Sequence, residues 1–258
     1  MRDVMNRIRN GVDDWFDAWI GWSQPPVRED SLRVDSVLEW CQRCGLGVSE
    51  WSGAEGCRRC SKQSPPFDGV LRLGSYQGEL RDRVMSLKYH RQWEHAGPLG
   101  KALGMRFQDG VLNASEDRPR NGRLRATLVV PIPMPPVRRF LRGIDHTWLL
   151  AASMARQMGC RCRQVLSRAD GVQQVGLRRT ERVSKAAGGG GEMRIRRKWA
   201  SERSLEGLDV VLVDDVLTTG RTARTAAECL QKMGPSRVLL AVLAVSEPSW
   251  PACGGQEE

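Results

Sequence analysis

Apolar residues follow two rhythms along this chain. Unbroken runs occur at Leu128-Val129-Val130, Val210-Val211-Leu212-Val213 and Val238 to Val245, each the length of a strand rather than a helix. Strands apolar on both sides suit a parallel sheet covered on both faces. Residues 67 to 76 read as a further extended stretch. Elsewhere the apolar positions recur at helical spacing. Leu80, Val84 and Leu87 share one side of a helix predicted over Glu79 to Tyr89, and a second runs from Trp148 to Met158 with Gly159 as its C-cap. A third leads through Ala223 to Leu230 towards Met233 and stops at Gly234-Pro235. Strands alternating with helices predict an α/β domain built on a parallel sheet.

The pattern changes outside that domain. Met5, Ile8, Val12, Trp15, Phe16, Trp19 and Ile20 mark an amphipathic helix that ends before Pro25-Pro26. Its tryptophan-rich face either packs on its own protein or docks on a partner or membrane surface. Pro65-Pro66 separates a cysteine-bearing module from the rest of the chain. The expected organisation is therefore an N-terminal segment over 1–36, a small module over 37–66, the α/β domain over 67–248 and a tail over 249–258. Within the domain, Asn113 to Arg123 reads as a polar surface loop. The basic stretch from Val172 to Ser201 contains four successive glycines, Gly188 to Gly191, and suits either a flexible loop or an active-site lid.

The chemistry concentrates after the second apolar run. Asp214-Asp215 falls where a buried strand would emerge at its carboxyl edge, the side on which open α/β sheets bind ligands. Thr218, Thr219, Gly220, Arg221 and Thr222 then lead into a helix. A hydroxyl-rich turn at a helix N-terminus presents free backbone N–H groups and the positive dipole end, which suits a phosphate. Neither G-x-G-x-x-G nor G-x-x-x-x-G-K-[ST] is present, so dinucleotide and Walker-type sites are excluded.

The eight cysteines include Cys41-x-x-Cys44 and Cys57-x-x-Cys60. Two such knuckles place four thiolates around one zinc ion, and four thiolates close the sphere, which predicts a structural site. Cys160, Cys162, Cys229 and Cys253 lack a matching pattern and read as ordinary residues. A net charge of +10 and an isoelectric point near 9.6 favour anionic partners, phosphorylated small molecules or nucleic acid. The longest apolar run is too short to span a membrane, and the charged N-terminus lacks a secretory pattern, so a cytoplasmic protein is expected.

Four segments in this order resemble the ComF family of competence-associated, phosphoribosyltransferase-like proteins. They are the paired knuckles, Gly74-Ser75-Tyr76-Gln77-Gly78-Glu79-Leu80-Arg81 running to Leu87-Lys88-Tyr89-His90, Val129-Val130-Pro131-Ile132-Pro133 with basic residues after it, and the acid-pair loop. Gln174 to Arg182 also resembles that family's Q-x-x-L-x-x-x-x-R segment. The resemblance covers about residues 37 to 246 and departs at one place. Where the family usually reads Phe-Asn-Gln, this chain has Ile144-Asp145-His146, and the family's earlier histidine is absent.

The resemblance implies a type I phosphoribosyltransferase fold, a zinc finger, and a bacterial role in handling single-stranded DNA with the DNA-uptake machinery during transformation. The acid-pair loop looks like the site for 5-phosphoribosyl-1-diphosphate (PRPP). On that likeness Asp214 and Asp215 are the catalytic carboxylates that hold the ribose, directly or through Mg²⁺, and residues 218–222 wrap the 5′-phosphate. Arg138, Arg139 and Arg142 are candidates to neutralise diphosphate. Lys88 and His90 either reach the same ligand or lie on the surface. None of His90, His95 and His146 is nominated as a general base. Three activities fit: transfer of phosphoribosyl to an unknown nucleophile, single-strand binding as an accessory factor, and PRPP sensing without turnover.

Overall fold

In the computed structural model the apolar runs lie side by side. The structure describes residues 34–47, 57, 60, 64–109, 126–168, 192–200 and 205–246. The expected N-terminal helix, the 113–123 loop, the Gln174–Arg182 segment, the run of glycines and the tail lie outside them. All described residues belong to one unit, Leu32–Glu258.

Strands β1 (Gly69–Ser75), β2 (Thr127–Pro131), β3 (Arg161–Cys162), β6 (Asp209–Leu217) and β7 (Arg237–Val245) form a five-stranded sheet in the order β1-β7-β6-β2-β3. Every pairing is parallel. Residue alternation sends Val211, Val213, Leu239 and Ala241 to one face, and Val210, Leu212, Leu240 and Val242 to the other. The first face is covered by α1 (Gly78–Tyr89), α2 (Ala96–Gln108) and α4 (His146–Met158), through Leu80, Leu87, Leu99, Leu103, Leu150 and Met154. The second is covered by α6 (Arg221–Gln231), through Ala223, Ala226, Ala227 and Leu230.

That arrangement positions the site. The chain leaves β2 through α4 on one face and turns outward to β3, whereas it leaves β6 through α6 on the other face and turns the opposite way to β7. Adjacent parallel strands whose following helices diverge open a crevice at their carboxyl ends. The crevice lies between β2 and β6, beside the acid pair.

Several elements differ from expectation. Helix α2 is not apparent in the sequence because Gly97, Gly100 and Gly104 dilute its apolar pattern and carry poor helix propensity. Gly100 and Gly104 allow close approach to α4. A Cβ on Gly100 would sit 2.5 Å from the Leu150 carbonyl oxygen, and one on Gly104 would sit 2.7 Å from the Gln157 Cβ. Helix α3 (Pro136–Arg142) also goes unforeseen, although Pro136 at its first position suits a helix start. The end of the stretch expected to be a loop or lid contains β5 (Met193–Ile195), which pairs antiparallel with β4 (Leu166–Arg168), and the short α5 (Arg197–Ala200).

The outer edge of β1 is covered by the cysteine-bearing segment. Val70 N–H donates to the Gln42 carbonyl at 2.7 Å, and Asp35 N–H donates to the Leu73 carbonyl at 2.8 Å. Covering an edge strand satisfies its exposed backbone groups and blocks pairing with other chains. Arg72, only 1% exposed, fastens the join. Its guanidinium donates to the Gly45 carbonyl at 2.8 Å, pairs with Asp35 at 2.7 Å and stands 5.9 Å from the Trp40 ring centroid. Gly45 has a φ of 75° and lies against Val70 and Val245, so the knuckle turn presses on the sheet where a side chain would clash.

Candidate functional site

The acid pair lies within β6 rather than beyond it, because the strand continues to Leu217. Alternation sends the two carboxylates to different sides. Asp215 follows Val211 and Val213 towards α1 and α4. Its Oδ1 is 3.0 Å from the Lys88 Nζ, and its Oδ2 is 2.7 Å from the His146 Nε2. Burial alone would raise its pKa, but the hydrogen bond from His146 and the Lys88 ammonium outweigh it and hold the carboxyl below the usual range. Asp214 is half-buried on the other side, and its Oδ1 accepts the Asp215 backbone N–H at 2.9 Å. Burial, and then the neighbouring Asp215 carboxylate, push Asp214 up to about 7. The two adjacent acids of one strand are thus shifted in opposite directions.

Past Leu217 the chain bends through Thr218 and Thr219, both exposed, to Gly220, whose φ of 72° turns the strand into α6. The first helical bond runs from the Arg224 N–H to the Gly220 carbonyl at 2.8 Å, so the N–H groups of residues 221–223 precede the helix ladder. Thr219 Oγ1 accepts the Arg221 N–H at 3.4 Å, and the first turn carries no acidic residue. This geometry suits an anion.

The arginines divide. Arg138 and Arg139 are exposed on α3, whereas Arg142 is half-buried and stacks over the Tyr89 ring at 5.3 Å. Arg138 joins the surroundings of Asp214 through Arg168 at the end of β4. Arg168 is lowered by burial and by the Arg138 guanidinium, and raised by Asp214. His90 is exposed at the end of α1, and Asp215 is met by Lys88 and His146 instead.

Lys88, one of the two residues left between ligand and surface, meets Asp215. His146, not nominated from the sequence, meets it too. Sequence reasoning passed over His146 and did not single out Arg168. A signal for the first was present in Asp145, an N-cap residue type just ahead of the apolar-periodic run at Trp148. Its side chain accepts the Trp148 N–H at 3.1 Å, which starts α4 two residues earlier than predicted and places His146 on its first turn. The triplet that departs from the family pattern therefore supplies a helix cap and a partner for the acid pair. For Arg168 the sequence offers no comparable signal, since β4 is only three residues long.

Cys41, Cys44, Cys57 and Cys60 converge, with their four sulfurs all within 4.8 Å of one another. Cys44 and Cys57 approach to 3.4 Å, and Cys41 and Cys60 to 3.9 Å. Tetrahedral zinc–thiolate bonds of about 2.3 Å require sulfurs about 3.8 Å apart. The cluster fits a structural zinc ion, with Cys41, Cys44 and Cys60 buried and Cys57 half-buried. Cys160, Cys162 and Cys229 join no metal-holding cluster among the described residues. Nor is any helix among them long and apolar enough to cross a membrane.

Comparison with known proteins agrees with this architecture. Residues 148–251 match the phosphoribosyl transferase domain. The chain is 28% identical to the DNA utilization protein YhgH of Salmonella typhimurium, covering 80% of this chain and 83% of that one. It is 25% identical to Competence protein F of Haemophilus influenzae, covering 77% and 81%. A solved hypoxanthine phosphoribosyltransferase from Trypanosoma cruzi matches at 14% identity over 63% of this chain and 74% of that one, with a TM-score of 0.37 that adds nothing to the strand order. The chain is thus similar, over about four fifths of its length, to a DNA utilization protein and a competence protein, and it carries a match to the phosphoribosyl transferase domain on the sheet that holds the acid-pair loop.

Proposed function

We propose that the crevice between β2 and β6 binds PRPP with Mg²⁺ and transfers its phosphoribosyl group to a nucleophile. The observation that carries this reading is the continuity of the acid pair, the Gly220 turn and the free end of α6 along one sheet edge. The 5′-phosphate sits against the N–H groups of residues 221–223 and the hydroxyls of Thr218, Thr219 and Thr222. The ribose hydroxyls meet Asp214, directly or through Mg²⁺. In the reaction the acceptor's lone pair forms a bond to ribose C1 while the bond from C1 to the diphosphate oxygen breaks, and diphosphate leaves with that electron pair. Positive charge developing on the sugar is favoured by the carboxylates of Asp214 and Asp215. Arg168, which acts on Asp214 and is itself influenced by Arg138, suits the departing diphosphate, and Mg²⁺ would supply further neutralisation there.

Calorimetric titration with PRPP and Mg²⁺ tests the reading. Wild type is expected to bind, and Gly220→Val to bind at least about tenfold more weakly, since a β-branched residue at positive φ distorts the turn. Equal binding by the two, or no heat with wild type, would count against the site. Diphosphate release with candidate amines and bases then separates a transferase from a PRPP sensor.

A second reading is favoured by the surface beside the crevice. Phe140 is 87% exposed and Tyr89 62% exposed, and Arg138, Arg139 and Arg142 lie on the same helix as Phe140. Aromatic rings among arginines suit single-stranded nucleic acid, where stacking contributes about 1–3 kcal/mol per base. A labelled oligonucleotide is expected to bind more weakly as salt rises, and Phe140→Ala to cost about tenfold. Salt-independent binding, or an unchanged variant, removes this surface from consideration.

A further inference from the structure

The two acids of the pair are not equivalent, and the difference lies in what surrounds Asp215. Both of its oxygens are engaged, by Lys88 from the last turn of α1 and by His146 from the first turn of α4. The residue is 8% exposed and His146 1% exposed. The imidazole is held by this one contact on its polar side, because Nδ1 is buried without a hydrogen-bond partner. A buried polar atom left unsatisfied is unfavourable, so the ring's position has to be stabilised by what Nε2 gains. A carboxylate at the start of a helix meets the positive dipole end as well.

We infer that His146 is a positioning residue: with Lys88 it clamps Asp215 as a fixed buried anion, leaving ribose contact to Asp214 alone. This rests on the proposed PRPP site and narrows it. The clamp joins α1, α4 and β6 at the floor of the crevice. Asp215 sets the place of Asp214 through the intervening peptide, whose N–H is bonded to the Asp214 Oδ1. Ribose hydroxyls reaching for Asp215 would have to displace Lys88 or His146 from a buried carboxylate. Those approaching Asp214 meet a half-buried one.

Two measurements on the full chain test the inference separately from the function it refines. The first is a double-mutant cycle on folding with His146→Ala and Asp215→Asn, without PRPP. The clamp predicts that the folding equilibrium of the double variant departs from additivity by about tenfold or more. Additive effects would overturn the clamp. If His146→Ala fails to fold, His146→Phe replaces it in the cycle.

The second is PRPP affinity with Mg²⁺. His146→Ala is expected to weaken binding about tenfold, and His146→Gln, whose amide can still donate to Asp215, to recover most of that loss. Unchanged affinity in His146→Ala overturns the positioning role, and so does a Gln variant no better than Ala. Wild-type protein that shows folding coupling but no PRPP binding would retain the clamp, reject its role in binding, and reject the proposed ribose site.

Discussion

Cys44→Ser is expected to strip the metal from the cysteine cluster and lower the melting temperature by about 10 °C or more. The effect extends beyond the module because of where it sits. Gln42, between Cys41 and Cys44, accepts the Val70 N–H of the edge strand, and the Gly45 carbonyl accepts from the buried Arg72. Zinc binding in such modules is strong enough to drive their folding. Without it the knuckle has little reason to keep its turn, and Arg72 loses its carbonyl partner in a buried place. Asp35 still pairs with Arg72, but a lost hydrogen bond to a buried charge costs about 1.5–3 kcal/mol, the lost metal binding adds to it, and for a domain of this size each kcal/mol shifts melting by about 2–4 °C. Calorimetry of wild type with and without a strong chelator, beside the variant, provides the measurement. Metal analysis of wild type is expected to give about one zinc per chain. A chelated protein that melts where the untreated one does would show that the knuckle holds without metal.

The architecture was legible wherever apolar runs were pure. β6 and β7 announced themselves because both faces of each are buried, and the acid pair was conspicuous at the end of one of them. Reading the strand as ending at Val213 was a natural error, since carboxylates are poor strand formers and are rarely buried. Tertiary partners overrode propensity, with Lys88 and His146 receiving one of the two acids. Those partners come from segments far away in sequence, and no local rhythm reveals such a meeting. Helix α2 was hidden for the opposite reason. Its glycines look like punctuation in the sequence but serve packing, with Gly100 and Gly104 pressed against α4. The cysteine cluster was the easiest part, because ligand spacing in a knuckle is local. Its attachment to the sheet through Arg72 was not, since an arginine inside an apolar stretch reads as a surface residue.

Asp214→Asn is expected to reduce PRPP binding by about a hundredfold while making the fold more stable at neutral pH. On the proposed reading, the side chain loses its negative charge where ribose hydroxyls or Mg²⁺ require one, and about two charge-assisted contacts go with it, each contributing roughly 1.5–3 kcal/mol. The opposite effect on stability arises from the same charge. Burial and the adjacent Asp215 carboxylate raise Asp214 to about 7. Its unfolded value is near 3.9, so between those limits the folded state binds more protons than the unfolded one. The raised group therefore helps least at high pH: its relative stabilisation is complete below about 4 and is lost as pH climbs through 7. Asparagine cannot ionise, so the variant escapes that decline. By linkage a rise from about 3.9 to about 7 caps the gain at about 4 kcal/mol at pH 8, and water reaching the half-buried carboxyl brings the expected gain down to about 1–2 kcal/mol. Asp215 works in the reverse direction, losing its contribution only in acid, below the pH 5–8 range compared. Denaturant unfolding of wild type and variant at pH 5 and pH 8, with PRPP titration at pH 8, separates the two effects. A stability difference that fails to widen from pH 5 to pH 8 would show that Asp214 carries no such strain. A variant that binds PRPP as wild type does would remove it from the ribose site.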